Sequence, residues 1–401
     1  MSKTVAIIGA GASGLVAAIT AARAGAKVKV YEKNNKIGKK ILATGNGRCN
    51  ITNQTITKGN YHGDNPSFVN PAINHFNTST CRAFFSELGI EMTMGQNGRL
   101  YPKSLQSSSV VDLLAYECRR LGVEFLLETK IENIIKTEDG FSPQTKGRSQ
   151  KAEKILICTG GPAMPTVGGC DSGYELAMNF NHTIKPVHPS LVQLVCSENL
   201  KNISGVKIQG DIEVFIDKEL KINRQGDILF TNYGISGSAV LDISRIASHA
   251  LLHQRDVRLK IDLFSDYSKE QLKNLLKKRL KFSNAKSVSL WLNGFINSKL
   301  ALYFEKSLKI KEADKLNPKD IVTLVHFLKN MTLHVEDTRG FKSAEVTAGG
   351  INTKEINSQT LESKLQKGLF FAGEVLDIDG DCGGYNLHWA WASGYLAGSS
   401  M

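Results

Sequence analysis

The sequence predicts an α/β fold in which a βαβ domain is split by a long insertion, itself first β-rich and then helical. Three observations carry this expectation. The chain begins with a buried strand that passes through a glycine-spaced turn into a helix and a second strand. From about residue 189 the texture changes to short strands, and from about 263 to basic helices. From about 346 the first texture returns, with a buried strand, a glycine-rich loop and an apolar helix. The expected boundaries are 1–188 and 346–401 for the divided domain, 189–262 for a small barrel-like subdomain and 263–345 for a helical one. With 401 residues, 41% of them hydrophobic, the chain is long enough for two or three domains with ordinary cores.

The opening strand is Thr4–Ile8. Gly9-Ala10-Gly11-Ala12-Ser13-Gly14 follows with the spacing Gly-x-Gly-x-x-Gly, and a second apolar run, Ala26–Tyr31, ends in Glu32, 18 residues beyond Gly14. Gly9 permits the tight turn, Gly11 lets backbone N–H groups approach a pyrophosphate, and Gly14 lets the helix pack on the sheet. Ala12 and Ser13 begin that helix, whose positive dipole end faces the phosphates. Glu32 stands where a carboxylate accepts ribose hydroxyls. In this order the parts predict an adenine dinucleotide site.

A single fingerprint suffices for a nicotinamide cofactor, whereas FAD held extended needs contacts farther along the chain. Several are present. The loop after Glu32 supplies Lys33 and Lys40 and then Thr44-Gly45-Asn46-Gly47-Arg48-Cys49-Asn50, a backbone-dominated binding segment. A strand over Ala152–Cys158 closes on Thr159-Gly160-Gly161. Leu369–Ala372 ends in Gly373-Glu374, where a glycine admits the pyrophosphate–ribityl segment and an acid can accept a ribityl hydroxyl. Gly380-Asp381-Cys382-Gly383-Gly384-Tyr385-Asn386 leads into the last helix. Gly383 and Gly384 would let an isoalloxazine lie on the backbone, with the helix N-terminus stabilising the negative charge of reduced flavin.

Thr44–Asn53, Phe230–Gly237, Val346–Ile351 and Asp381–Leu387 together resemble the BaiN-like, or aminoacetone-oxidase-like, bacterial family of FAD-dependent oxidoreductases. The likeness spans essentially the whole chain. It implies an FAD-binding Rossmann-like domain of glutathione-reductase type with an inserted β-barrel and helical part. It also implies FAD at Gly9, Gly11, Gly14, Glu32 and the 44–50 loop, with the isoalloxazine near Gly349-Gly350-Ile351 and the 380–387 loop. The family's labels cover an enone reductase and an amine oxidase, so the resemblance fixes no single substrate.

No second Gly-x-Gly-x-x-Gly follows a strand, so any NAD(P)H is expected to dock transiently rather than in a domain of its own. The expected activity is hydride transfer between flavin and a small organic substrate. The alternatives are an RNA-modifying flavoprotein and a non-catalytic flavin-binding protein. Acid/base candidates are few: Tyr385, His188 and His388, each with a structural role as its competitor.

The net charge of +12 draws attention to segments such as Lys273–Lys281, where basic and apolar residues alternate at helical spacing. A solvated helix face is the expected reading, and a nucleic-acid partner is disfavoured because the segment is leucine-rich. Seven cysteines, an odd number with no Cys-x-x-Cys pair, support neither a disulfide framework nor a metal site. No run approaches the roughly 18 apolar residues of a membrane span. The first strand starts almost at residue 1, so no secretory leader is expected, and a cytoplasmic protein is.

Overall fold

The computed structural model describes residues 3–146 and 150–401. They form two compact units, one of residues 1–188 and 344–401, the other of 189–343.

The first unit is built on a five-stranded parallel sheet in the order Leu369–Phe371, Lys154–Ile157, Thr4–Ile8, Lys27–Tyr31, Glu124–Leu126. Its central strands are continuous apolar runs because both faces are covered; Val5, Ile7, Val30, Ile155 and Ile157 are all buried. Register places Ile8 beside both Tyr31 and Ile157, and Ile157 beside Phe371. Four strands therefore end level, and the segments that follow them share one carboxyl edge.

The first helix, Ala12–Arg23, packs against the last, Tyr385–Ser400. The contact is close because glycines face a backbone: a Cβ on Gly394 would stand 2.3 Å from the Ser13 carbonyl oxygen. The last helix is apolar on most sides, with Trp389, Trp391, Leu396 and Ala397 buried, as expected of an enclosed helix. Smaller sheets pair Thr52–Asn53 with Arg99–Pro102, and Tyr61–His62 with Asp379–Gly380. Strand Asn133–Thr137 pairs with Gly140–Gln144 across a Glu138-Asp139 turn. Asp171 occupies the N-cap of Ser172–Met178, but its side chain makes no cap hydrogen bond.

The second unit contains a closed six-stranded barrel. Two pairs of expected short strands are each one long strand, Lys207–Ile216 and Glu219–Phe230. Gly210 and Gly226 lie opposite each other within the ladder. A Cβ on Gly210 would meet the Asp262 carbonyl oxygen at 2.6 Å, so this glycine serves close strand approach rather than a turn. The actual turn is Asp217-Lys218, both with positive φ, the pattern of a two-residue hairpin loop. The strand that closes the barrel, Met331–Thr338, comes from beyond the helices, out of the stretch expected to be a separate helical subdomain. Barrel and helices share one core: Ile212, Leu259 and Leu333 cluster with Leu272, Leu276, Trp291, Phe304 and Leu328. Residues 189–343 are thus a single unit, not two.

Among the described residues, no helix is long and apolar enough to cross a membrane, and no group of three or more His, Cys, Asp or Glu is placed to hold a metal.

Candidate cofactor site

The shared carboxyl edge brings together segments far apart in sequence. Gly9 turns the chain out of the first strand, its N–H donating to the Tyr31 carbonyl at 2.9 Å. Gly11 is the N-cap of the first helix, and no side chain caps that end. A Cβ on Gly11 would meet nothing within 4 Å, so the amides of Ala12 and Ser13 begin a helix whose mouth is open. Gly14 faces inward instead: a Cβ there would lie 1.9 Å from the Gly9 carbonyl oxygen and 3.0 Å from Cys158 Sγ.

Glu32 is nearly buried. Its Oε2 accepts from the Ala10 N–H at 2.9 Å, and its Oε1 from the backbone and side-chain nitrogens of Asn34 at 2.8 and 2.6 Å. These bonds fix the carboxylate on the glycine turn, and each oxygen can accept more than one hydrogen bond.

Gly373, at the end of another strand of the sheet, reaches the same place. Its N–H donates to Ser393 Oγ at 2.9 Å, its carbonyl accepts from Trp389 Nε1 at 3.2 Å, and a Cβ on it would touch Ser13 Oγ. Beside it, Glu374 pairs with Lys40 at 2.6 Å and accepts the Thr347 N–H at 2.7 Å. A Cβ on Gly160 would stand 3.8 Å from Glu374, and one on Gly161 would collide with Thr347 Oγ1. Thr159, Gly160, Lys40 and Glu374 thus form one neighbourhood, whereas Lys33 points to solvent without a partner among the described residues. Glu374→Gln would leave Lys40 uncompensated. It is expected to weaken FAD retention several-fold while leaving the thermal midpoint within a few degrees, read from flavin absorbance after gel filtration and from calorimetry.

The 44–53 and 380–388 segments pack on each other. Asn53 Nδ2 donates to the Gly383 carbonyl at 3.0 Å, Trp391 Nε1 to the Ile51 carbonyl at 3.0 Å, and a Cβ on Gly384 would strike the Thr52 carbonyl oxygen at 2.6 Å. Asn386 clamps the glycine loop: its Oδ1 accepts the Gly380 N–H, and its Nδ2 donates to the carbonyls of Gly380 and Asp381. In the 44–50 loop, Thr44 Oγ1 donates to the Ile41 carbonyl, Gly45 and Gly47 have positive φ, and Arg48 lies over the Tyr101 ring. Asn50 Oδ1 is enclosed beside Gly384.

Three of the expected contact residues sit in packed surroundings. The Cys49 side chain is fully buried and its thiol is pushed up to about 12 by burial, so it fills the core. Gly349 and Gly350 lie in a strand buried along its whole length, and Cβ atoms there would strike the Pro186 and Val375 carbonyl oxygens at 2.2 and 2.7 Å. At both positions glycine is required by close backbone packing.

The acid/base candidates also separate. His388 is wholly enclosed, its Nδ1 2.8 Å from Thr52 Oγ1 and its ring against Phe76. Burial pushes its pKa down to about 4, against a smaller upward pull from the Phe76 backbone. The imidazole is therefore a neutral core group. Its folded pKa lies below the unfolded one, so its contribution is complete above about pH 6.5 and is lost as pH falls toward 4. That loss is about 3 kcal/mol. The thermal midpoint is expected to drop through this window, and less so in His388→Gln, as calorimetry would read. His188 is buried as well. Tyr385 remains partly exposed, its ring edge-on to Tyr61 at 6.4 Å. A pair that the sequence reading missed, His62 Nε2 and Asp381 Oδ1 at 2.7 Å, lies beside the glycine loop.

The edge fits an extended dinucleotide: uncapped amides at Gly11, a fixed carboxylate at Glu32, an acid–lysine pair at Glu374 and Lys40, and a glycine loop heading the last helix. A family model described as the HI0933-like protein Rossmann domain matches residues 3–400. A 3-dehydro-bile acid delta(4,6)-reductase of Clostridium scindens is 37% identical over 98% of this chain and 97% of its own. Ribosomal RNA dihydrouridine synthases of Haemophilus influenzae and Escherichia coli are 32% and 31% identical, over the same shares of each chain.

Proposed function

The chain belongs to the HI0933-like Rossmann family and is an oxidoreductase of the flavoprotein kind; from that premise we propose an FAD-dependent reductase of a carbon–carbon double bond conjugated with a carbonyl. The observation that carries the cofactor is the level carboxyl edge, where Gly11, Glu32 and Gly373 converge beside the first and last helices. The substrate class follows from chemistry common to the relatives. A 3-oxo steroid acid with unsaturation at C4 and C6, and a uracil ring, both carry an alkene polarised by a carbonyl, and both names describe its saturation. A small molecule is the favoured substrate, since the most similar of these three relatives acts on one.

When bound, FAD supplies two-electron chemistry. The chain's own residues bind and orient it. The amides of Ala12 and Ser13 hold the pyrophosphate, Glu32 the adenosine ribose, Glu374 and Lys40 the stretch toward the ring, and Gly383-Gly384 admit the ring system. The N-terminus of Tyr385–Ser400 favours negative charge there. NADH or NADPH docks transiently as the reductant.

Anaerobic bleaching of the flavin absorbance by NADH or NADPH, followed by its return on adding 2-cyclohexen-1-one or a 3-oxo-4-ene steroid, is the expected result. Bleaching by an amine but by neither nicotinamide would instead make the protein an oxidase. Flavin that no donor reduces would make it a non-catalytic binder.

A second reading, reduction of a base in RNA, is favoured by the two ribosomal RNA relatives and by one surface. Lys277, Lys278 and Lys281 are exposed, and beside them Phe282 is 68% exposed. The nearby aromatics Trp291 and Phe295 are engaged elsewhere: Trp291 is buried and Phe295 stacks on Phe264 at 4.7 Å. On this reading, affinity for a ribosomal RNA fragment falls steeply with salt, and replacing the three lysines by Gln flattens the log–log slope by about 3. Binding equally insensitive to salt in both proteins would remove it.

A further inference from the structure

We propose that His62, held by Asp381, is the catalytic proton donor to the substrate alkene; the proposal rests on the reductase reading above. The chain brings the two residues together from 319 positions apart. Strand Tyr61–His62 runs antiparallel to Asp379–Gly380, with Tyr61 opposite Gly380 and His62 opposite Asp379. The Asp381 N–H donates to the Asn60 carbonyl at 3.0 Å, locking the next residue onto the same strand. The His62 imidazole then meets the Asp381 carboxylate at 2.7 Å.

The surroundings hold this pair beside the glycine loop at which the reading above seats the flavin ring. Asp381 lies two residues before Gly383, in the loop that Asn386 clamps and Asn53 tethers. Tyr61 Oη donates to the Tyr385 carbonyl at 3.3 Å, joining the histidine strand to the first turn of the last helix. The side chains of His62 and Asp381 are 33% and 21% exposed, so the pair is set into the protein yet reachable. His188 and His388, by contrast, are closed off.

The chemistry suits the arrangement. Asp381 accepts the Nε2–H, orients the ring and balances an imidazolium, leaving Nδ1 to carry the transferable proton. In the step, the π bond of the substrate opens. One alkene carbon receives a hydrogen with two electrons from the reduced cofactor, and the neighbouring carbon, next to the carbonyl, receives H⁺ from Nδ1. The cofactor is left oxidised, and His62, left neutral, is reprotonated from water.

The test separates the half-reactions. His62→Gln and His62→Ala are reduced photochemically without oxygen and mixed with 2-cyclohexen-1-one or a 3-oxo-4-ene steroid. The expected result is unchanged flavin content and bleaching, with reoxidation slowed on the order of 100-fold or more and partly restored to His62→Ala by added imidazole. Wild-type reoxidation with His62→Gln within threefold of it overturns the proposal alone. A wild type that neither acceptor reoxidises overturns the reductase reading and the proposal with it. Should the variants lose flavin, the wild type decides through diethyl pyrocarbonate, with peptide mass spectrometry locating the modified histidine. Modification of His62 that spares bleaching and stops reoxidation supports the role, and modification that spares both overturns it.

Discussion

Gly11→Val is expected to give a folded protein that no longer retains FAD. Gly11 has φ −83° and ψ −164°, extended backbone that valine adopts readily, and its Cβ direction is open for 4 Å. The substitution therefore strains nothing in the protein itself, and the thermal midpoint of the apoprotein should stay within about 2 °C of wild type. On the proposed cofactor placement, this open space is the one through which a pyrophosphate approaches the amides of Ala12 and Ser13. An isopropyl group there holds the phosphates off by more than a hydrogen bond's length, and the charge-assisted bonds to the helix end are lost together. A loss of at least about 100-fold in affinity follows, from two such bonds at about 1.5 kcal/mol each. The ratio of flavin to protein absorbance after gel filtration reads it directly. A fully yellow variant would show that the diphosphate lies elsewhere.

Gly14→Ala is expected to do the opposite, damaging the fold first. One methyl group would have to occupy a point 1.9 Å from the Gly9 carbonyl oxygen and 3.0 Å from Cys158 Sγ. Backbone cannot rotate aside as a side chain can, so the first helix must lift from the sheet and part the core around Val5, Leu15 and Ile157. The last helix must lift with it, since Gly394 meets the Ser13 carbonyl just as closely. Overpacking of this kind costs about 3 kcal/mol or more, and a fall of about 10 °C in the thermal midpoint of the apoprotein is expected in calorimetry. Gly394→Ala should behave likewise. A Gly14→Ala protein as stable as wild type would mean that the helix sits farther from the strand than described. Two glycines three residues apart in one motif thus differ in their surroundings, one facing open space and one pressed against the scaffold.

Most of the geometry of this edge was legible because its determinants are local. A buried strand, a turn that needs glycine, a helix start and an acid closing the next strand are each read within a few residues, and the fold leaves them little freedom. The segments 44–53 and 380–388 were legible as motifs, yet their meeting was not. Glycine was the residue whose neighbours the sequence did not name. Gly210 and Gly226 are opposed within a barrel ladder, while Gly349 and Gly350 lie against the backbone of Pro186 and Val375. An absent side chain signals close approach, but not by what.

The sequence alone determined that a strand–turn–helix fingerprint exists, that it is followed by a carboxylate, and that an insertion of different texture divides the domain. Tertiary structure decided which strand closes the barrel, which histidines are enclosed and which one meets Asp381. The physical reason is range. Backbone preference and hydrophobic period act over a few residues and are written in order along the chain, whereas strand register and side-chain pairing across hundreds of residues arise only when the sheet and its covering helices pack.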